Sequence, residues 1–371
     1  MKIGSLLVGC LPALLLVACG GESPAEPKKA TGATPPKVAK PEASKPAASK
    51  PAASTQGAKP KRRRTRRPRV NTQLVKTLFG NYPAAPAAKV ASTPELVALG
   101  NALYHSEHLS AKGNLSCASC HDLSNYGVDS KPTSPGSTGE NGDRNTPTTY
   151  NAFRHFRQFW DGRAESVEEQ AIMPVTNPIE HGLKDDADVV AKIKEKGDLV
   201  EAFKKAFPGE DDPVTAERFG VAIGAFERTL VTTSKWDAYL DGDSKAMDND
   251  QLLGLKTFMD VGCTQCHMTR LLGGHTYQKL GVLKPYTGKD TGRMQVTGQE
   301  SDKYMFKVPS LINVEKTAPY YHDGSMATLE DAVKDMADNQ LNKQLTDEQV
   351  QAIVNFLKAT TGPLPEAFAK K

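Results

Sequence analysis

Cys117-Ala118-Ser119-Cys120-His121 (CASCH) decides how this chain is read. Two thiols at i and i+3 followed at once by an imidazole put two thioether anchors and one iron ligand on the same edge of a porphyrin, which is the pattern of c-type haem attachment. Cys263-Thr264-Gln265-Cys266-His267 (CTQCH) is a second copy. One CxxCH alone is compatible with a zinc site or with chance. Two copies, each after an apolar helical run, in a chain whose other cysteines are accounted for, point to two covalent haem c groups. His121 and His267 are then the proximal ligands. What has to be assigned is which iron keeps an open sixth position and which carries electrons to it.

Outward from the motifs the pattern is helical. Ser92, Thr93, Pro94 and Glu95 make a helix start, with Ser92 and Glu95 at capping-box spacing and Pro in the first turn. Leu96, Leu99 and Leu103 share a face that leads to the first motif, and Leu252, Leu255 and Met259 lead to the second. Between the motifs, Asp185 to Phe207 and Pro213 to Leu230 are periodic, with Phe219, Ile223, Phe226 and Leu230 on one core-facing stripe. Asp241-Gly242-Asp243 reads as a turn and a domain boundary. Thr346 and Gln349 cap a last helix carrying Val350, Ile353, Val354 and Leu357, stopped by Gly362 and Pro363. No segment alternates with period two. The expected fold is mainly α, two cytochrome c-like haem domains with long loops, the first over 71–240 and the second over 241–371. The residues flanking the two motifs are too different to show a sequence repeat.

The first seventy of the 371 residues read differently. Residues 1–18 have one early Lys and a long apolar run, the pattern of a signal peptide. It ends in LVAC, a lipobox that makes Cys19 the expected lipid anchor, and Gly20 after it favours the outer membrane by resemblance to other lipoproteins. Cys10 lies within the signal, so no disulfide remains to be proposed. Residues 19–70 are rich in Pro, Ala, Lys, Ser and Thr and read as a disordered tether. Residues 1–70 hold 15 Lys+Arg against 3 Asp+Glu, a net of +12, leaving 32 against 40, or −8, for the rest. The basic run Lys61 to Arg69 either docks on anionic lipid or a partner, or is a solvated linker. Export and haem attachment agree on the periplasm, where nucleic acid is not an expected partner.

The stretch CASCHDLSNYGVDSKPTS, then RNTPTTYNA, QFWDGRAESVEEQA, NPIEHG, VTG, FKVPSL and TAPYYHDGSMATLEDAV, over residues 92 to 362, resembles the bacterial dihaem cytochrome c peroxidases and their MauG relatives. The resemblance implies that Glu180 is the acid/base carboxylate over a peroxide site lined by Gln170 and Phe159, and that Trp160 stands between the haems. It implies that Met336 is the distal ligand of the second haem, with Met294, Met305 and Met326 as competitors. It implies further that oxygens of Asn145, Thr317 and Pro319 hold one calcium ion, and that the protein forms a homodimer. The bland alternative for Glu180 is a surface carboxylate before a turn; for Trp160, a buried aromatic.

Peroxide cleavage needs a group that takes a proton from the inner oxygen and returns it to the outer one, and a pocketed carboxylate does both. A His/Met second haem has a raised potential and a closed iron, which suits it to accept single electrons from a small cytochrome c or cupredoxin. Many members of the family carry a distal His sixteen residues after the first proximal one. Here that position is Ser137, and no His occurs between His121 and His155. The expectation is a first haem that reacts with hydrogen peroxide without reductive activation, with His155 reaching back as the alternative. Rival readings are a MauG-like oxidase, whose relatives carry a Tyr ligand at the second haem, and a dihaem electron carrier or sensor.

Overall fold

A computed structural model describes residues 67–369. The expectations for residues 1–18, Cys19 and the tether as far as residue 66 lie outside the described residues. The described chain is helical with long connecting loops, and its one paired sheet is short. Tyr277–Lys279 lies antiparallel to Met305–Lys307, Tyr277 opposite Lys307.

Two hydrophobic clusters organise the helices. In the first, Pro94–Tyr104 packs against Ala216–Glu227, burying Leu96, Leu99 and Leu103 against Phe219, Ile223, Phe226 and Leu230. In the second, Asn249–Val261 packs against Asp347–Lys358, burying Leu252, Leu255, Val350, Ile353, Val354 and Leu357. The second haem motif directly follows the first helix of its pair, while the first lies beyond a loop that carries the short turn Glu107–Leu109. Thr346 and Gln349 form the expected capping box. At the earlier helix the cap is Thr93, which accepts from the Leu96 amide, so Pro94 occupies the first helical position and Ser92 lies outside. The periodic run from Asp185 is two helices, Asp186–Lys194 and Gly197–Ala206, separated at Lys196, whose backbone is extended.

The two pairs cross in the same way. A Cβ on Gly100 would lie 2.0 Å from the Ala222 carbonyl oxygen and 2.7 Å from Phe226 Cβ; one on Gly254 would lie 1.9 Å from the Ala352 oxygen and 2.8 Å from Phe356 Cβ. Each lobe thus seats a glycine of its first helix against an Ala-x-x-x-Phe surface of its last, a repeat of packing that the letters conceal. Overpacking costs about 1–3 kcal/mol. Gly254→Val is therefore expected to lower the midpoint of thermal unfolding by several degrees, and an unchanged midpoint would show that this crossing tolerates a larger residue.

Packing crosses the expected 240/241 boundary in both directions. Val75 and Phe79 of Thr72–Phe79, together with Trp236 and Leu240, belong to the second cluster, where Phe79 meets the Trp236 ring edge-on at 5.2 Å. Leu364 and Phe368 from the C-terminal end pack on the first.

Candidate functional site

Both motif histidines are fixed through the nitrogen that faces the protein. His267 Nδ1–H donates to the Leu272 carbonyl at 2.8 Å, and His121 Nδ1–H donates to Gly127 at 3.3 Å. For His267 that leaves Nε2 as a lone-pair donor, the state an iron ligand needs, while His121 has the Pro147 carbonyl as a second backbone partner. Burial pushes both imidazoles toward neutrality, His267 down to about 4. Burial pushes the Cys117 and Cys263 thiols up to about 12. Zinc needs thiolates, so these thiols suit thioether bonds better than a metal cage.

His267, Cys263 and Cys266 line a cavity of about 260 Å³, and Met336 lines it too. Of the four competing methionines Met336 alone does so. It is carried on Leu329–Leu341, whose start is capped by Thr328. Tyr320 and Tyr321 share the cavity. The Tyr321 hydroxyl donates to Asp335 Oδ2 at 2.7 Å, and burial with that carboxylate holds it far above the usual phenol range. Asn145, Thr317, Pro319, Phe159 and Trp160 complete the wall on one side. Trp160 Nε1–H donates to the Asn145 carbonyl at 2.9 Å, and its ring stands 6.4 Å from that of His322. Buried Asp161, next to Trp160, takes Arg144 at 2.5 Å and Arg163 at 2.9 Å; Arg144 also binds Asp290. This network ties the Trp160 loop to the second lobe. His155, offered above as a reserve ligand for the first haem, lines the second cavity instead.

Around the first motif, Glu180 is half-buried rather than a free surface carboxylate. Its charge is one of the smaller influences that raise the Cys117 and Cys120 thiols. Asn177 Nδ2–H donates to Glu180 Oε1 at 2.7 Å, orienting the carboxyl group. Burial raises its pKa; the Asn177 bond and the nearby Arg163 guanidinium oppose the shift. That guanidinium lies over the Phe159 ring, 3.4 Å from its centre. Arg163 therefore links Phe159 to Glu180. Gln170 ends the short helix Val167–Gln170 and is half-buried.

Ser137 is buried beside this group. Its amide donates to the Glu180 carbonyl at 2.8 Å and its hydroxyl to Asn114 Oδ1 at 2.8 Å, while Asn114 Nδ2–H returns a bond to the Ser137 carbonyl. At Gly136 a Cβ would lie 1.6 Å from the Ile179 oxygen, so only glycine lets the two loops approach this closely. Arg163 and the Ser137–Asn114 strap escaped the sequence reading, although Arg163 stands inside the quoted QFWDGRA. His181, beside Glu180, was also passed over; it is buried, and Nδ1–H donates to the Leu109 carbonyl at 2.7 Å.

Two CxxCH segments, each with a neutral imidazole held for iron, in two helical lobes, define a dihaem c-type cytochrome. The profile of the di-haem cytochrome c peroxidases matches residues 94–245. The chain is 45% identical over 296 residues to the cytochrome c551 peroxidase of Nitrosomonas europaea, covering 77% of this chain and 86% of that protein. It is 42% identical over 275 residues to the cytochrome c551 peroxidase of Pseudomonas aeruginosa, covering 72% and 79%. Among solved structures, a MauG-like protein associated with microbial copper homeostasis superposes with a TM-score of 0.69 at 26% identity, over 78% of this chain and 96% of that one. The chain belongs to the di-haem cytochrome c peroxidase family, whose members carry two haem c groups, and is an enzyme of that class.

Proposed function

We propose that this enzyme reduces hydrogen peroxide to water at the CASCH haem, with single electrons from a small periplasmic cytochrome c or cupredoxin entering at the CTQCH haem. The observation that carries the reading is Glu180: half-buried, with one carboxyl oxygen held by Asn177 and with a charge that is felt at Cys117 and Cys120. The first haem, when bound, supplies the iron that takes the peroxide and the electrons that cleave its O–O bond. Glu180 takes the proton from the inner oxygen and returns it to the outer one, so that the departing group leaves as water. Asn177 fixes the Oε1 edge and leaves Oε2 for this exchange. The family resemblance assigns Phe159 and Gln170 to this pocket, although Phe159 also lines the cavity of the second motif, and Arg163 favours the ionised, proton-accepting form.

Electron entry is assigned to His267 and Met336, with Trp160 relaying inward. The thioether is preferred to a tyrosine ligand because Tyr321 is already bonded to Asp335 and stays protonated. That preference favours the peroxidase over a MauG-like oxidase. The acidic body beyond residue 70 favours a donor with a basic face. Asn145, Thr317 and Pro319 would hold a calcium ion through carbonyl and amide oxygens. Among the described residues there is no cluster of three acidic, His or Cys side chains to hold one by charge. The lipid anchor at Cys19 would keep the enzyme on the periplasmic side of the outer membrane.

Ser137 supports activity without reductive activation. Where many relatives carry a ligand that must leave, this chain has a side chain tied to Asn114 and a backbone tied to Glu180. The fully oxidised enzyme should turn over peroxide from the first mixing with reduced donor. A lag removed by preincubation with that donor would contradict this.

A further inference from the structure

Trp160, assigned above to relay electrons between the haems, is not the end of its aromatic path. Its ring stands 6.4 Å from that of buried His322, which stacks on Phe306 at 4.3 Å and lies 5.5 Å from the ring of Tyr286. Tyr286 in turn meets Tyr304 edge-on at 5.2 Å. These are centroid separations of rings in contact. Trp160, Phe306 and His322 line the cavity of the second motif, whereas Tyr286 and Tyr304 lie behind that wall. The Lys303 ammonium, on a side chain 37% exposed, sits 5.7 Å from the Tyr304 ring and marks the surface end of the path.

Tyr286 is distinguished by what its hydroxyl meets. Its oxygen lies 3.1 Å from His322 Nε2. A phenol with no other bonded acceptor among the described residues donates its O–H there, and the imidazole nitrogen accepts. Asp290 Oδ2 is 3.9 Å from the same nitrogen, beyond hydrogen-bond reach, so the lone pair is left to Tyr286. Losing an electron turns a phenol into a strong acid, and it is oxidised readily only where a base takes the proton in the same step. Tyr104, Tyr126, Tyr150 and Tyr277 donate to backbone carbonyls, which are too weakly basic for this. Of the described tyrosines, two have a basic side chain as acceptor: Tyr321, bonded to Asp335, and Tyr286. Of those two, Tyr286 is the one that stands in the ring path.

We propose that Tyr286 is a redox-active residue that takes up one of the two oxidising equivalents peroxide leaves on the enzyme, and that Tyr304 passes it to a small phenol at the surface. This rests on the peroxide chemistry proposed above and on Trp160 as the relay. Tyr286 gives one electron through His322 and Trp160 to the oxidised centre, and its hydroxyl proton to His322 Nε2, leaving a neutral phenoxyl radical beside an imidazolium. A phenol outside then gives one electron through Tyr304 and loses its own proton to water. His322 returns its proton to Tyr286, which is a phenol again. The reductant class follows from the terminus: a tyrosine ring oxidises what is no harder to oxidise than itself, and small phenols meet that condition.

The test is EPR of the oxidised holoenzyme frozen after mixing with one equivalent of peroxide and no electron donor. The expected result is an organic-radical signal that narrows when the tyrosines are ring-deuterated and is lost in Tyr286→Phe, whose haem spectra and first reaction with peroxide match wild type. Adding p-cresol should speed its decay severalfold in wild type and not in Tyr304→Phe. Haems that react with peroxide without a tyrosyl signal, or a signal that survives in Tyr286→Phe, would overturn the proposal, as would loss of the signal in Tyr321→Phe alone. A decay indifferent to p-cresol would overturn the exit at Tyr304. If Tyr286→Phe loses haem, the wild type in D2O decides: the imidazolium N–H should give the radical an exchangeable hydrogen coupling, and its absence would exclude the Tyr286–His322 pair. Haems that ignore peroxide altogether would instead sink the peroxidase reading itself.

Discussion

Glu180→Gln lowers the rate of peroxide turnover by about two to four orders of magnitude, the span associated with loss of a positioned general acid–base group. The amide keeps the shape of the side chain and can still meet Asn177, so both haems should keep their spectra. What it loses is the ability to take a proton from one peroxide oxygen and give it to the other. Burial raises the Glu180 pKa. The base form is therefore lost on acidification at a pH above the ordinary carboxylate range, and activity should fall on its acid side earlier than for an exposed glutamate. Arg163 opposes the burial, so Arg163→Gln should move that acid limb to still higher pH. In Glu180→Gln the limb should vanish from the residual rate. Stopped-flow rates with peroxide across the acid range check all three; a glutamine variant within a few-fold of wild type would remove Glu180 from the mechanism.

Met336→Leu separates electron entry from peroxide chemistry. Axial ligands set haem potentials over ~0.8 V, and loss of a thioether should lower the second haem by a substantial part of that range. Leucine is close to methionine in volume, so the Leu329–Leu341 helix should survive. Turnover with a small redox protein should collapse because the entry haem no longer accepts its electron. A single reaction of the oxidised enzyme with peroxide should keep its rate. If steady-state activity is unaffected, the sixth ligand is another group, and the two cavity tyrosines are the next to replace.

The haem motifs were legible because covalent attachment fixes residue type and spacing together, and almost nothing else requires Cys-x-x-Cys-His. Helix faces such as Leu96, Leu99 and Leu103 were legible because burial on a helix repeats at 3.6 residues. The repeat at Gly100 and Gly254 was not, since one close backbone contact per lobe leaves a single letter in each. Nor was the place of Thr72–Phe79, because a short amphipathic helix fits any apolar surface of suitable shape. Glu180 and Met336 could be picked out by resemblance alone; residue type gave no reason to prefer either over its neighbours. Arg163 and Lys307 show the opposite case. Both stood in quoted motifs, but their contacts with Phe159 and His155 depend on loops that only tertiary structure brings together.

The central claim is that the first haem site is open at rest and served by Glu180. The most direct measurement is an EPR and visible spectrum of the fully oxidised protein, followed by stopped-flow addition of one equivalent of peroxide. The expected result is one high-spin and one low-spin haem, with a rapid spectral change at the high-spin centre. Two low-spin haems that ignore peroxide until partly reduced would contradict it and reveal a sixth ligand at the first iron.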